Sequence, residues 1–560
     1  MLNEFFRPRA VFAFLPLLTL SLLPAHAAQP SQKDLAAYAD KLLSAAFPAD
    51  QPGAAVLVID DGQVVLRKGY GLANVELGVP VSPEMVFGIG SLTKQFTAAA
   101  ILMLQEQGKI QVEDEVTKHL PDFPTHGQKI TIQHLLTHTS GIPSYTGMKD
   151  WRARVREDMP VETLLGVFKD KPLDFNPGED WRYNNSAYAV LGAVIEKIAG
   201  KSYERFVEEE ILQKAGMKSS RYGHQEELVP HKASGYTRKG EEVRPAEYIS
   251  FTHPYAAGSL LSTVDDLAAW DRALAGDALI SKASRERMET PVKLSSGVST
   301  GYGYGVAVSE YAGRRVLQHS GGVYGYSSYL LRVPEEGVVV AFLTNSDEPP
   351  SSFGDMAMQI AAKATGEPLE ERKRITLDPK AMDDYVGVYR FGGQTVRYIT
   401  RQGEKLYSQR SGGSKIEIAP SARDEFFFDG DTSRLSFRRD GQGKITGAVY
   451  TPGDGMAAEG KKTDEPLPQD RQAVKVDPAI YDQYVGEYQM PNLVLAVSRE
   501  GDKIFATPAG QVQAEIFPLS ESRFFLKRVD GQIEFVRGAE GKVTGLVLEM
   551  GGRKIEGKRK

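Results

Sequence analysis

The stretch Phe87-Gly88-Ile89-Gly90-Ser91-Leu92-Thr93-Lys94, running on into Gln95-Phe96-Thr97-Ala98-Ala99-Ala100-Ile101-Leu102-Met103-Leu104, decides how this chain is read. A glycine-bearing turn feeds a helix expected over 91–107 and stopped by Gly108. The helix is apolar nearly all round, so it belongs inside a domain rather than on its surface. Ser91 and Lys94, three residues apart, share a face of its first turn, which sets a hydroxyl beside an ammonium. Burial lowers a lysine's pKa and frees the neutral amine to act as a base. The N-terminal end of the helix favours negative charge developing at the same place.

Two further stretches carry candidate chemistry. Tyr183-Asn184-Asn185 follows the turn Asn176-Pro177-Gly178 and precedes an apolar helix expected over 188–198, stopped by Ala199-Gly200. A tyrosine hydroxyl near an ammonium can be held as phenolate or can relay a proton, and an asparagine amide can both accept from and donate to a substrate. The plain alternative is a capping asparagine beside a half-buried tyrosine. His319-Ser320-Gly321-Gly322, followed by Val323-Tyr324-Gly325, borders a strand at 329–332. Its glycines suggest backbone approaching a ligand closely. The N–H of Gly322 and that of Ser91 would make the two halves of an oxyanion hole; the alternative is a glycine-rich hairpin turn.

Around these lie a hairpin of 54–59 and 63–68 joined by Asp60-Asp61-Gly62, a helix over 264–275 capped by Thr263, an apolar strand at 338–343 and a closing helix over 356–364. The charged stretch 367–374 reads as a linker. Beyond it the pattern is all strand and repeats itself. Leu377-Asp378-Pro379 through Tyr385, Gly387 and Tyr389 matches Val476-Asp477-Pro478 through Tyr484, Gly486 and Tyr488 at an offset of 99, and Gly443-Lys444-Ile445-Thr446-Gly447 matches Gly541-Lys542-Val543-Thr544-Gly545 at 98. Nearly constant offsets indicate a duplicated unit, here two small antiparallel barrels or sandwiches at 376–459 and 475–560 joined by 460–470. Residues matched between copies are expected to be structural, with Gly387 and Gly486 at turns or bends.

The 560 residues are 41% hydrophobic and 25% charged, as in an ordinary soluble protein, and the formal net charge is −6. Nothing there suggests nucleic acid as a partner, and the basic end Arg553, Lys554, Lys558, Arg559, Lys560 reads as a solvated terminal strand. Arg7 and Arg9 precede the apolar run 10–23, then Pro24 and the small-x-small site Ala25-His26-Ala27. That is the pattern of a signal peptide over 1–27, and it places the mature chain in the periplasm or outside the cell with no stable membrane span. With no cysteine, disulfides, thiolate metal sites and a cysteine nucleophile are excluded. His134 and His138 are four apart, but no glutamate follows in the metalloprotease pattern and the surroundings read as a helix end. No metal or other cofactor is expected.

Taken in order, Ser-x-x-Lys, Tyr-x-Asn and a strand bearing His-x-Gly resemble the penicillin-recognising serine hydrolases, within the class C β-lactamase-like branch that includes D,D-peptidases, D-aminopeptidases and esterases. The segments His134-Leu135-Leu136-Thr137-His138-Thr139-Ser140-Gly141-Ile142 and Ala257-Gly258-Ser259-Leu260-Leu261-Ser262-Thr263 resemble that family too, and the likeness covers about 35–365. It implies an α+β catalytic domain over 28–366, a β-lactamase/transpeptidase-like antiparallel sheet flanked by helices with an all-helical subdomain. The C-terminal duplication is similar to the paired barrels that follow some D-aminopeptidases. By this resemblance Ser91 attacks the carbonyl, Lys94 and Tyr183 share base and acid duty, Asn185 holds the substrate amide or Lys94, His319 and Gly321 bind substrate, and Ser91 and Gly322 supply the oxyanion hole. His319 stands where many relatives have lysine. A neutral histidine suits aminopeptidase or esterase action on a small peptide or ester better than β-lactamase or D,D-carboxypeptidase action. The remaining alternative is an inactive sensor of cell-wall fragments, for which the intact residue set has no use.

Overall fold

The computed structural model describes residues 31–560 except 240–241, 349–351, 367–372, 392–394, 412, 429–432, 452–457, 469–472, 491–493, 509–512, 527–530 and 551–552. The expected signal segment 1–27 and most of the expected linker 367–374 lie outside the described residues.

Alternation sets the central sheet. Strand Ala54–Asp60 turns Ala54, Val56 and Val58 to one face and Ala55, Leu57 and Ile59 to the other, and both sets are buried. A strand covered on both faces belongs inside a sheet. It pairs with Gln63–Tyr70 on one side and Val338–Thr344 on the other. The sheet order is Ala307–Tyr311, Arg314–Val323, Tyr326–Val333, Val338–Thr344, Ala54–Asp60, Gln63–Tyr70, antiparallel throughout. The expected N-terminal hairpin, with Asp61 and Gly62 at φ 48° and 70° in its turn, therefore docks on the last strand of the domain.

Helices Gln32–Ala46 and Phe353–Ala364 cover one face through Leu35, Leu43, Met356 and Ile360. The other face carries Val264–Ala275, whose Thr263 cap accepts from the Asp266 N–H as expected. The same layer holds Thr93–Glu106, buried from Thr93 through Leu104. Against it packs a helical layer that includes Asn185–Ala199. Three helix starts differ from expectation. The nucleophile segment begins as a tight 3-10 turn, Gly90–Leu92, and becomes α-helical only at Thr93, because Gly90 holds a left-handed φ of 49°. The second helix begins at Asn185, not 188, because Asn184 caps it by accepting from the Ala187 N–H. The closing helix begins at Phe353, behind the Ser352 cap.

Beyond the linker stand two closed eight-stranded antiparallel barrels. In the first, Gly387–Phe391 pairs with the last strand, Ala458–Thr463. That strand runs past the expected boundary at 459, so the joining segment begins after Thr463 rather than at 460. The second barrel closes between Gly486–Gln489 and Arg553–Arg559, which puts the basic terminus in a strand as expected. Matched residues do matched work. The Tyr389 hydroxyl donates to the Tyr385 carbonyl and the Tyr488 hydroxyl to the Tyr484 carbonyl, each at 2.7 Å. Gly387 and Gly486 open their strands at φ 153° and 151°, a conformation that favours glycine.

Candidate active site

The turn before the nucleophile is held from three sides. The Ile89 N–H donates to the Leu260 carbonyl at 3.0 Å, the Ile89 carbonyl accepts from Ser328 Oγ at 2.7 Å, and the Leu260 N–H donates to Thr93 Oγ1 at 3.2 Å. Strand Arg314–Val323 presses directly on this turn. A Cβ on Gly90 would lie 2.6 Å from the Gly322 nitrogen, so the absence of a side chain there brings the Gly322 backbone up to Ser91. Gly321 also faces the turn: a Cβ there would collide with the Ile89 carbonyl and Ser328 Oγ. This corrects its expected role, since Gly321 is a packing position and does not line the cleft. A Cβ on Gly322 would meet nothing within 4 Å, and its backbone borders the open space beside Ser91.

Lys94 is fully buried. Its Nζ lies 3.0 Å from Ser91 Oγ and donates to Asn185 Oδ1 at 2.8 Å and to the Ala257 carbonyl at 2.8 Å. Burial pushes its pKa well below the usual lysine value. The Asn185 and Ala257 oxygens can only accept. A neutral amine spends its two N–H bonds on them and turns its lone pair toward the Ser91 hydroxyl. Asn185 turns its oxygen to the Lys94 N–H, and its amide nitrogen donates to Thr146 Oγ1 at 3.2 Å and keeps one hydrogen unspent. In the Tyr-Asn-Asn run the capping role falls to Asn184 and the site role to Asn185.

Tyr183 packs its ring 4.8 Å from Lys94 Nζ. Burial pushes its phenol well up, an effect the nearby Ser91 hydroxyl moderates. The hydroxyl is nonetheless enclosed with no hydrogen bond of ordinary geometry. His319 is buried rather than open at the cleft edge. Its Nε2 lies 2.8 Å from the Tyr302 hydroxyl, and its pKa is pushed down to about 3, chiefly by burial, so it is neutral at pH 7.

Sequence reasoning passed over several neighbours. His138 closes the helix end as expected, left-handed at φ 61° just after the Thr137 cap, and it also serves the site. Its Nδ1 accepts from the Asn184 N–H at 3.1 Å, its Nε2 is buried without a partner, and its ring packs at a tilt among Tyr183, Tyr188 and Tyr302. Thr146, the Ala257 carbonyl and Tyr302 are brought in by folding alone. The segments 134–142 and 257–263 thus position Tyr183, Asn184 and Lys94. His134 serves its own helix start, accepting from the Thr131 N–H. Among the described residues no group of three or more histidine, aspartate or glutamate side chains is placed to hold a metal.

Two cavities open on Ser91 and Gly322. One, of about 240 Å³, is bordered by Asn185, Thr146, Trp151 and Arg152. The other, of about 270 Å³, is bordered by Trp181, Tyr183, Tyr302, His319 and Tyr329.

Comparison with known proteins agrees with this geometry. The family model described as Beta-lactamase matches residues 42–365, more than half of the chain, and residues 470–559 match a domain of unknown function (DUF3471). The chain is 31% identical over 399 residues to penicillin-binding protein 4* of Bacillus subtilis (strain 168), covering 66% of this chain and 87% of that protein. It is 30% identical over 351 residues to the D-aminopeptidase of Gluconobacter oxydans (strain 621H), covering 61% of this chain and 63% of that enzyme. The octameric penicillin-binding protein homologue from Pyrococcus abyssi superposes with a TM-score of 0.53 at 28% identity, over 77% of this chain and all of the other.

Proposed function

The chain belongs to the β-lactamase family of serine hydrolases, and from that premise we propose that it cleaves small amides or esters, as a peptidase of the D-aminopeptidase kind or an esterase, through an acyl-enzyme on Ser91. The observation that carries this is Lys94 Nζ, buried and 3.0 Å from Ser91 Oγ, with its other bonds made to acceptors only.

Lys94 takes the Ser91 proton as Oγ bonds to the substrate carbonyl carbon. The backbone N–H groups of Ser91 and Gly322 receive the oxyanion. As the C–N or C–O bond breaks, the leaving group takes a proton from the Tyr183 hydroxyl, which Lys94 replaces. Water then attacks the acyl-enzyme by the same steps reversed. The opposite shifts of the two groups support this division: burial favours a neutral amine at Lys94 and a protonated phenol at Tyr183. The unspent hydrogen on Asn185 suits the substrate's amide or carbonyl oxygen.

Neutral His319 offers no fixed charge to the free carboxylate of a penicillin or a D-Ala-D-Ala terminus, so nitrocefin is expected to be a poor substrate. The signal pattern at 1–27 supports action in the periplasm or outside the cell, where wall fragments are a candidate source of substrate. Ser91→Ala is expected to lower turnover of a p-nitrophenyl ester on the order of 10⁴-fold and to end labelling by a fluorophosphonate, with the fold retained. Activity within tenfold of wild type would sink the mechanism.

A further inference from the structure

The two cavities at Ser91 differ in charge, and the chemistry orients them. The group that protonates the departing atom must border the leaving group. Tyr183 borders only the larger cavity, so that side takes the leaving group, and the side bordered by Asn185 takes the acyl group. On the leaving-group side the lining is aromatic and carries no fixed charge. On the acyl side one charged residue lines the wall, Arg152. No carboxylate lines either cavity.

Arg152 ends the short helix Lys149–Arg152. Its neighbour Trp151 is buried and donates from Nε1 to His253 Nδ1 at 2.8 Å, which fixes the helix at the cavity's rim. The Arg152 guanidinium is exposed and, among the described residues, meets no carboxylate or other acceptor. A free planar fork of donors at a cavity mouth matches a carboxylate in two parallel bonds. A substrate ammonium placed there would face a like charge with no counter-ion within either cavity.

We propose that the substrate's acyl group carries a carboxylate held by Arg152 at the mouth of the Asn185-side cavity, and that its leaving group is uncharged. This rests on the acyl-enzyme reading above and deepens it. Within that reading it selects the esterase arm against the aminopeptidase one, whose acyl group carries a free amine, and it locates anion recognition on the side of Ser91 opposite His319.

The test compares three esters that share one leaving group: p-nitrophenyl hexanoate, mono-p-nitrophenyl adipate and p-nitrophenyl 6-aminohexanoate, turned over by the full chain. The adipate ester is expected to exceed the hexanoate in kcat/KM by about five- to tenfold at low ionic strength, the size of an exposed charge-assisted contact, with the gain shrinking at high salt. The 6-aminohexanoate ester is expected to be the poorest. Arg152→Gln brings the adipate-to-hexanoate ratio to near one, and Arg152→Lys keeps part of it. A ratio is read because a general loss of fold or catalytic power cancels from it. A wild-type ratio at or below one, a ratio unmoved by Arg152→Gln, or a preference for the aminohexanoate ester overturns the proposal. Turnover of all three by Ser91→Ala refutes the acyl-enzyme reading at Ser91 instead, whatever the ratio.

Discussion

Gly90→Ala tests whether the nucleophile and the oxyanion hole depend on one close backbone contact. The new methyl would start 2.6 Å from the Gly322 nitrogen and 2.8 Å from its carbonyl atoms, where ordinary contact begins at 3.4 Å. The turn and the strand must therefore part by about 0.8 Å, and displacements near 1 Å at reacting groups cost roughly 10²-fold in rate. The left-handed φ of 49° at this residue adds about 1 to 2 kcal/mol of strain for an alanine. The expected outcome is a loss of about 10²-fold in kcat on p-nitrophenyl acetate, with KM little changed, and a lowered Tm with unchanged far-UV circular dichroism. Gly322→Ala is the control. It keeps the N–H, and its methyl meets nothing within 4 Å, so its loss on the same small ester is expected to be smaller. If Gly90→Ala stays within threefold of wild type, or if Gly322→Ala is the more damaging, the two N–H groups do not form the hole.

Acid stability should follow His319. Its ordinary pKa of 6.5 falls to about 3 in the folded chain, so within that window the unfolded chain binds the extra proton; stability is full above 6.5 and declines as pH falls toward 3. His319→Gln should flatten the fall of Tm with acidification, and an unchanged slope would refute the linkage. Chelators should leave turnover intact, because His134 and His138 each spend Nδ1 on a backbone N–H; loss in EDTA restored by zinc would reverse that reading. A chain ending at Gly366 should stay soluble and hydrolyse a small ester with altered specificity, the barrels being accessory; a folded but wholly inactive product would show that a group beyond 376 belongs to the site.

What the sequence revealed was local, or repeated. Ser91 and Lys94 are three residues apart, so helix geometry alone joins them, and the barrels were visible because each copy repeats the other's tyrosines and glycines. The bond from Lys94 to Asn185 spans 91 residues and that to the Ala257 carbonyl spans 163, distances over which periodicity says nothing. Gly321 was misjudged because a glycine required by backbone packing and one required by a ligand look alike until the neighbour, here Ile89, is known. His319 was read as neutral from the ordinary titration of histidine alone; the stronger cause is its enclosure against Tyr302. Arg152 left no signal, because its meaning comes from the cavity it borders and from the missing acid opposite it.

The way each barrel closes has a consequence for how the chain is made. In the first, the opening strand pairs with the final one, and the Thr463 hydroxyl reaches the Val388 carbonyl across 75 residues. An emerging chain can pair one edge of its first strand with Thr395–Gln402 at once, but the other edge stays open until the whole unit has appeared. A tandem look-alike immediately downstream is the nearest candidate to cap it wrongly, the characteristic failure of repeated domains. Synthesis from the N-terminus guards against the exchange: the first unit's own last strand arrives before any strand of the second, and once the ring is shut no edge remains for the later copy to invade.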